Sequence, residues 1–104
     1  MTDRKAISMI GLCRRAGKLA SGAFQVEKAI NSASARLVLA DERISTVTYE
    51  KYKAACETHG IPIKKLETNE LENAIGIPGR IAAAVTDDNF AQQIIKLIDG
   101  GVGN

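Results

Sequence analysis

The sequence predicts a three-layer α/β/α sandwich, in which a single mixed four-stranded sheet carries helices on both faces. Three observations lead to this expectation. Stretches with apolar residues at helical spacing alternate along the whole chain with short apolar runs that lack that spacing, the pattern of a sheet covered by helices. Glycine, proline or a capping residue stands at nearly every boundary between the two kinds of stretch. The chain has 104 residues, the length of one ordinary domain, and residues 1–104 are expected to form one.

Asp3 precedes a first helix over about residues 4–16, in which Ile7, Ile10, Leu12 and Cys13 supply the apolar stripe and Gly17 the stop. A short extended piece, KLASG, follows. Ser21 with Gly22 then caps a second helix over about residues 22–33, with Val26, Ala29, Ile30 and Ala33 on its inner side. RLVLA, residues 36–40, is leucine-rich and lacks helical period, so it reads as a buried strand. A third helix opens at Thr46 or Thr48 and runs through Tyr49, Tyr52, Ala55 and Cys56 to Gly60. IPIKKL is a strand, TNELENAIG a short helix capped by Thr68, IAAAV a strand and DDNFAQQIIKLIDG the last helix. Alanine prefers helix, but Gly76, Pro78 and Gly79 before IAAAV and Thr86 and Asp87 after it confine that run to strand length. The tail GGVGN is expected to fray.

Apolar residues make up 45% of the chain and charged ones 25%, enough to fill a core, and no stretch approaches the roughly 18 unbroken apolar residues of a membrane span. The opening MTDRKAISMIGL alternates charged and apolar positions where a signal peptide has a continuous apolar block, so a cytoplasmic protein with no membrane partner is expected. Two cysteines, Cys13 and Cys56, are too few for a disulfide framework and are expected as reduced, packed thiols. The net charge of +2 is unevenly spread. Residues 1–36 hold seven Lys and Arg against Asp3 and Glu27, a balance of +5, whereas residues 37–104 hold seven against ten acids, a balance of −3. The basic first third is either a solvated face or a surface for an anion.

Several motifs fail on spacing. A phosphate-gripping P-loop needs four residues between its first glycine and the glycine of Gly-Lys-Ser/Thr, but five separate Gly11 from Gly17, and Leu19 stands where the hydroxyl should be. Cys56 and His59 sit three apart, as two metal ligands on one helical turn would, yet one histidine and two cysteines cannot complete a four-ligand structural site. No metal or cofactor is expected. Glu70 with Glu72, and Asp87 with Asp88, lie in helix first turns, where they complement the dipole. With a single histidine and no nucleophile elbow, the inventory of acids and bases argues against an enzyme with a small-molecule substrate. Gly76-Ile77-Pro78-Gly79-Arg80 has a Gly-x-x-Gly form, read by default as a tight turn.

Three segments, GKLASGAFQVEKAI from Gly17, RLVLADE from Arg36 and LENAIGIPGRIAAAVTD from Leu71, resemble the ribosomal protein L7Ae/L30e family, and within it the bacterial YlxQ-like branch. The resemblance spans nearly the whole chain and agrees with the order of elements read above. It implies the three-layer fold and a structured RNA partner of the kink-turn or ribosomal-RNA type, with the ribosome as one setting. The family's glycine at the start of the second helix falls on Gly22, its helix lysine on Lys28, its acidic or amide residue at the sheared base pairs on Gln25 and its basic position at the preceding strand on Lys18. The apolar loop before the last strand corresponds to residues 76–81, with Ile77, Pro78, Gly79 and Arg80. Phe24 departs from the pattern, standing where RNA-binding members usually carry a polar residue. It either stacks on a base or marks a branch that reads a different RNA or has lost kink-turn binding.

The chemistry of these residues points the same way. A helix that starts at glycine exposes its first-turn N–H groups, which together with the helix dipole favour an anion. Gln25 and Lys28 lie three apart on one helix face, the first offering donor and acceptor atoms to a base edge, the second a point charge. Arg14, Arg15 and Lys18 extend the positive surface, with a solvated helix end as the alternative for the two arginines. Ile77 and Pro78 would pack on bases extruded from a bent RNA. A protein-interaction module of the same fold, docking through the acidic remainder and the Ile77-Pro78 loop, is the competing reading.

Overall fold

The computed structural model describes residues 4–100, and its elements follow the alternation in the sequence. In chain order these are α1 (Arg4–Arg15), β1 (Leu19–Ser21), α2 (Ala23–Asn31), β2 (Leu37–Asp41), α3 (Thr46–His59), β3 (Ile63–Leu66), α4 (Glu70–Ile75), β4 (Ala82–Val85) and α5 (Asp88–Ile95). The strands lie in the order β1-β4-β2-β3. β4 is antiparallel to both β1 and β2, whereas β2 and β3 run parallel, so the sheet is mixed.

Side chains on a strand alternate between faces, and here that parity sorts the core into two layers. Leu37 and Leu39 of β2 and Ala83 and Val85 of β4 pack with Ile10 and Cys13 of α1, Leu71 and Ile75 of α4, and Ala91 and Ile94 of α5. Val38, Ala82 and Ala84 face the other way, against Val26, Ala29 and Ile30 of α2 and Tyr52 and Cys56 of α3. The result is the three-layer sandwich the sequence predicts. The small side chains of Ala82, Ala83 and Ala84 explain how an alanine run can serve as a strand, since β4 is flanked by β1 and β2 and covered by a helical layer on each face. Gly11, whose spacing from Gly17 does not fit a phosphate loop, lies mid-helix, where a Cβ would come within 3.1 Å of the Ala74 carbonyl oxygen of α4. Its missing side chain is what lets α1 approach α4.

The helix ends match the reading in part. α1 closes with the Lys18 N–H donating to the Cys13 carbonyl and the Gly17 N–H to Arg14, the paired bonds of a Schellman motif. α2 closes the same way, Ser34 N–H to Ala29 and Ala33 N–H to Ile30, but with Ala33 at φ 59°. Ala33 therefore belongs to the exposed turn, and the second helix stops two residues before it. Leu12, assigned to the inner stripe of α1, is 46% exposed, and Ala6 takes its place in the core. Thr68 does not cap α4. Its N–H and Oγ1 both donate to Glu42 Oε2, at 2.8 and 2.7 Å, and Asn69 occupies the cap position without a side-chain bond. The last helix changes to a π-helical turn over Lys96–Gly100, so Gly100 belongs to it; residues 101–104 of the tail expected to fray lie outside the described residues. No helix among the described residues is long and apolar enough to cross a membrane.

The topology has one consequence for function. The ends of β1, β2 and β3 and the start of β4 all meet at one end of the sheet, where Ser21 pairs with Ala83, Ala40 with Ala82 and Asp41 with Leu66. That end carries the start of α2, the loop between β2 and α3, and the loop between α4 and β4.

Candidate nucleic-acid interface

The backbone of α2 starts at Gly22, with φ 96° and ψ 151° and no side-chain cap. The neighbouring α3 contrasts with it: Ser45 Oγ accepts from the Thr48 N–H at 3.1 Å and donates to Thr48 Oγ1 at 2.9 Å. One helix thus satisfies its own first-turn donor, while the other leaves its N-terminus open and carries no acid in its first turn. An open helix N-terminus with its positive dipole end is suited to an anion.

Beside this terminus, Gly22, Ala23, Arg43, Ser45, Thr48 and Arg80 line a groove of about 340 Å³, whose floor includes the buried Tyr52. Burial and the neighbouring Glu27 raise the Tyr52 phenol above its ordinary pKa, so it remains neutral. Arg80 Nη1 lies 3.2 Å from where a Cβ on Gly22 would stand. Among the described residues, Arg80 Nε is a buried atom without a hydrogen-bond partner. The Gly22 N–H donates to the Ala82 carbonyl at 3.4 Å, tying the start of α2 to β4.

An ion pair between the buried Asp41 and the exposed Arg43 shapes part of the groove wall. Asp41, at the end of β2, is fully buried. Its Oδ1 accepts from the Arg43 N–H at 2.8 Å and Nε at 2.9 Å, and its Oδ2 from Arg43 Nη2 at 2.8 Å and the Asn69 N–H at 3.1 Å. Arg43 Nη2 also donates to Glu72 Oε1 at 2.9 Å. Chiefly through its hydrogen bonds to the Arg43 side chain, Asp41 is held below its usual pKa, and the two carboxylates hold Arg43 ionised well above its own. The β2–α3 loop, the start of α4 and the groove wall are thereby locked together. Glu72, expected only to complement the α4 dipole, also pairs with Arg43 of the β2–α3 loop.

The residues named from the sequence divide into groups. Gly22, Gly79 and Arg80 share the groove. Phe24, Gln25 and Lys28 stand on the outer face of α2, all exposed, and Phe24 is 73% exposed, so it faces solvent and not the core. Pro78 is exposed, while Ile77 is half-buried against the cluster around Ile10 and Ile75. Arg14, Arg15 and Lys18 are exposed but lie beyond the far end of β1, separated from Gly22 by roughly 13 Å of extended chain. There the Lys18 carbonyl accepts from the Thr86 N–H at 2.9 Å and Oγ1 at 3.2 Å.

Sequence reading missed Arg43, Ser45 and Thr48 in the groove wall, together with the 81% exposed Val47 in the first turn of α3. One signal was present: an aspartate ending a fully apolar strand must be paired when buried, and the arginine two residues on is the nearest candidate. The two thiols lie on opposite faces of the sheet, Cys13 with α1 and Cys56 with α3, and His59 sits exposed at the end of α3. Cys13 and Cys56 therefore cannot share a metal. Burial pushes both thiols up to about 11, with Asp87 adding to the effect at Cys13.

Residues 5–95 match the model of the ribosomal protein L7Ae/L30e/S12e/Gadd45 family. The chain is 38% identical over 100 residues to the RNA-binding protein YlxQ of Bacillus subtilis (strain 168), covering 95% of this chain and 100% of the relative. It is 32% identical over 98 residues to the RNA-binding protein YlxQ of Enterococcus faecium, covering 93% and 94%. A solved structure of a Bacillus halodurans protein of unknown function superposes with a TM-score of 0.88 at 32% identity, over 93% of this chain and 99% of that one. The Giardia lamblia 15.5kD RNA binding protein superposes with a TM-score of 0.74 at 19% identity, over 89% and 83%, a likeness of fold alone.

Proposed function

The chain belongs to the ribosomal protein L7Ae/L30e/S12e/Gadd45 family, and from that premise we propose that it is an RNA-binding protein, not an enzyme, that recognises a kink-turn-like structured RNA through the start of α2. The observation that carries this reading is the uncapped N-terminus of α2 opening on a groove walled by Arg80, with Gln25 and Lys28 exposed on the same helix. The names of the two YlxQ relatives support RNA as the partner.

The division of labour follows from chemistry. Phosphate sits at the open N–H groups of Ala23 and its neighbours, within reach of the Arg80 guanidinium, whose buried Nε is a donor still to be satisfied. Gln25 reads a base edge, and Lys28 holds a second phosphate. The groove beside Gly22 receives a base that the bent RNA has extruded, and the exposed Pro78, next to the groove residue Gly79, packs on a neighbouring base, with Ile77 supporting the loop from the core side. Phe24, a large apolar ring held in water, stacks on a base. Arg14, Arg15 and Lys18 steer the RNA backbone from the far end of β1. We assign the whole of residues 1–104 to one RNA-binding domain acting in the cytoplasm, with ribosomal RNA as the second RNA class.

A gel shift at about 150 mM salt, comparing a kink-turn RNA with a scrambled hairpin of equal length, tests the reading. The kink-turn RNA is expected to bind more tightly. Equal affinities would reduce the site to general phosphate binding, and no shift with either RNA would favour a protein-interaction module of the same fold.

A further inference from the structure

A second groove, of about 630 Å³, lies between α1 and the end of α5. Met9, Leu12 and Leu97 supply its apolar surface, and Arg4, Lys5 and Lys96 stand around it. Among the described residues, no carboxylate lines it. Leu12 is 46% exposed here, which is why the apolar stripe of α1 is wider than its buried part. The groove belongs to the helical layer on the opposite face of the sheet from α2. Arg4, Lys96 and Leu97 also fall outside residues 5–95, the part that matches the family model.

We propose that this groove docks an acidic amphipathic helix of a partner protein. Its size is that of a pocket able to bury two or three aliphatic side chains. An amphipathic helix presents such anchors at i, i+3 or i+4, and i+7, with carboxylates between them that would meet Arg4 and Lys96. Charge complementarity selects an acidic occupant over a basic one. The aliphatic surface of Met9, Leu12 and Leu97 favours protein over RNA, because single-stranded bases are held by aromatic or arginine planes, and among the described lining residues Arg4 alone offers one. Since the groove and the start of α2 lie on different layers, the partner and the RNA bind together, and the inference does not rest on the RNA reading.

The probe is a synthetic leucine–glutamate helix of about four turns, fluorescently labelled, with leucines at i, i+3, i+4 and i+7. Controls are the same composition with scattered leucines and a leucine–lysine version. Anisotropy with the full chain should show the patterned acidic peptide binding about tenfold or more tightly than either control, and amide chemical shifts should move at Met9, Leu12 and Leu97. Leu12→Glu and Lys96→Glu, both at exposed positions, should each weaken binding about tenfold while leaving the melting temperature and any RNA affinity unchanged. Gln25→Ala should leave peptide binding unchanged. Equal affinity for the three peptides, or shifts elsewhere, would overturn the proposal. So would kink-turn RNA displacing the peptide, or self-association in sedimentation that Leu12→Glu abolishes, which would make the occupant RNA or a second copy.

Discussion

Arg80 Nη1 and the missing side chain of Gly22 occupy one space: a Cβ on Gly22 would come within 3.2 Å of that nitrogen. The backbone of Gly22, at φ 96° and ψ 151°, is in a region that essentially only glycine populates. Gly22→Ala should therefore cost about 1–3 kcal/mol of stability through backbone strain, and should also displace the Arg80 guanidinium from the groove. Thermal unfolding measures the first effect, and the RNA gel shift the second. Arg80→Ala, which keeps the backbone, should weaken RNA binding with little loss of stability. If it binds as the parent does, Arg80 is not a ligand.

On α2, phosphate and base contacts separate by salt. Lys28→Ala should weaken binding to all RNAs and lower the slope of log affinity against log salt by about 0.7–0.9, one phosphate contact. Gln25→Ala should cost about 1–3 kcal/mol on the preferred RNA and little on others. Phe24→Asn should lower affinity by about 1–3 kcal/mol without changing the melting temperature, as loss of a stacking contact from an exposed ring. A rise in kink-turn affinity would instead mark Phe24 as a drift from that target.

The Asp41 pair gives stability a pH dependence of known sign. The native state holds the Asp41 carboxyl below its usual 3.8, so the stabilisation is fully present above that value and is lost as pH falls through the lower, native pKa. Asp41→Asn should cost about 2 kcal/mol at neutral pH, and the gap to the parent should narrow below about pH 4. Denaturant midpoints at neutral and acid pH measure it, and a gap independent of pH would count against the ion pair.

Ala33 holds φ 59° in the turn that ends α2, where the other Schellman turn, after α1, has Gly17. Ala33→Gly should relieve about 1 kcal/mol of strain, partly offset by the greater freedom of glycine in the unfolded chain, and so raise stability slightly. A lower melting temperature would show that Ala33 contributes packing that the turn geometry does not reveal.

Cys13 and Cys56 are buried, with pKa values pushed up to about 11. Both should resist a thiol reagent at neutral pH and react together on unfolding, since the thiolate is the attacking form. Fast reaction of one thiol in the native state would mean that its layer opens locally.

The sequence alone determined the order of the helices and strands and the two buried thiols. These follow from local patterns, because apolar period, glycine stops and capping residues act within a few positions of themselves. Thr68 shows where that reach ends: its local pattern reads as a cap, but Glu42, 26 residues away, accepts both of its donors. Only the tertiary structure decided that Arg80 would lie against Gly22, and that Arg43 would be held between Asp41 and Glu72. It also set Arg14, Arg15 and Lys18 beyond the far end of β1 and left Leu12 facing a groove. Each of these depends on which strand ends meet at one end of the sheet, and that is set by non-local pairing of β4 between β1 and β2, which no short window of sequence contains.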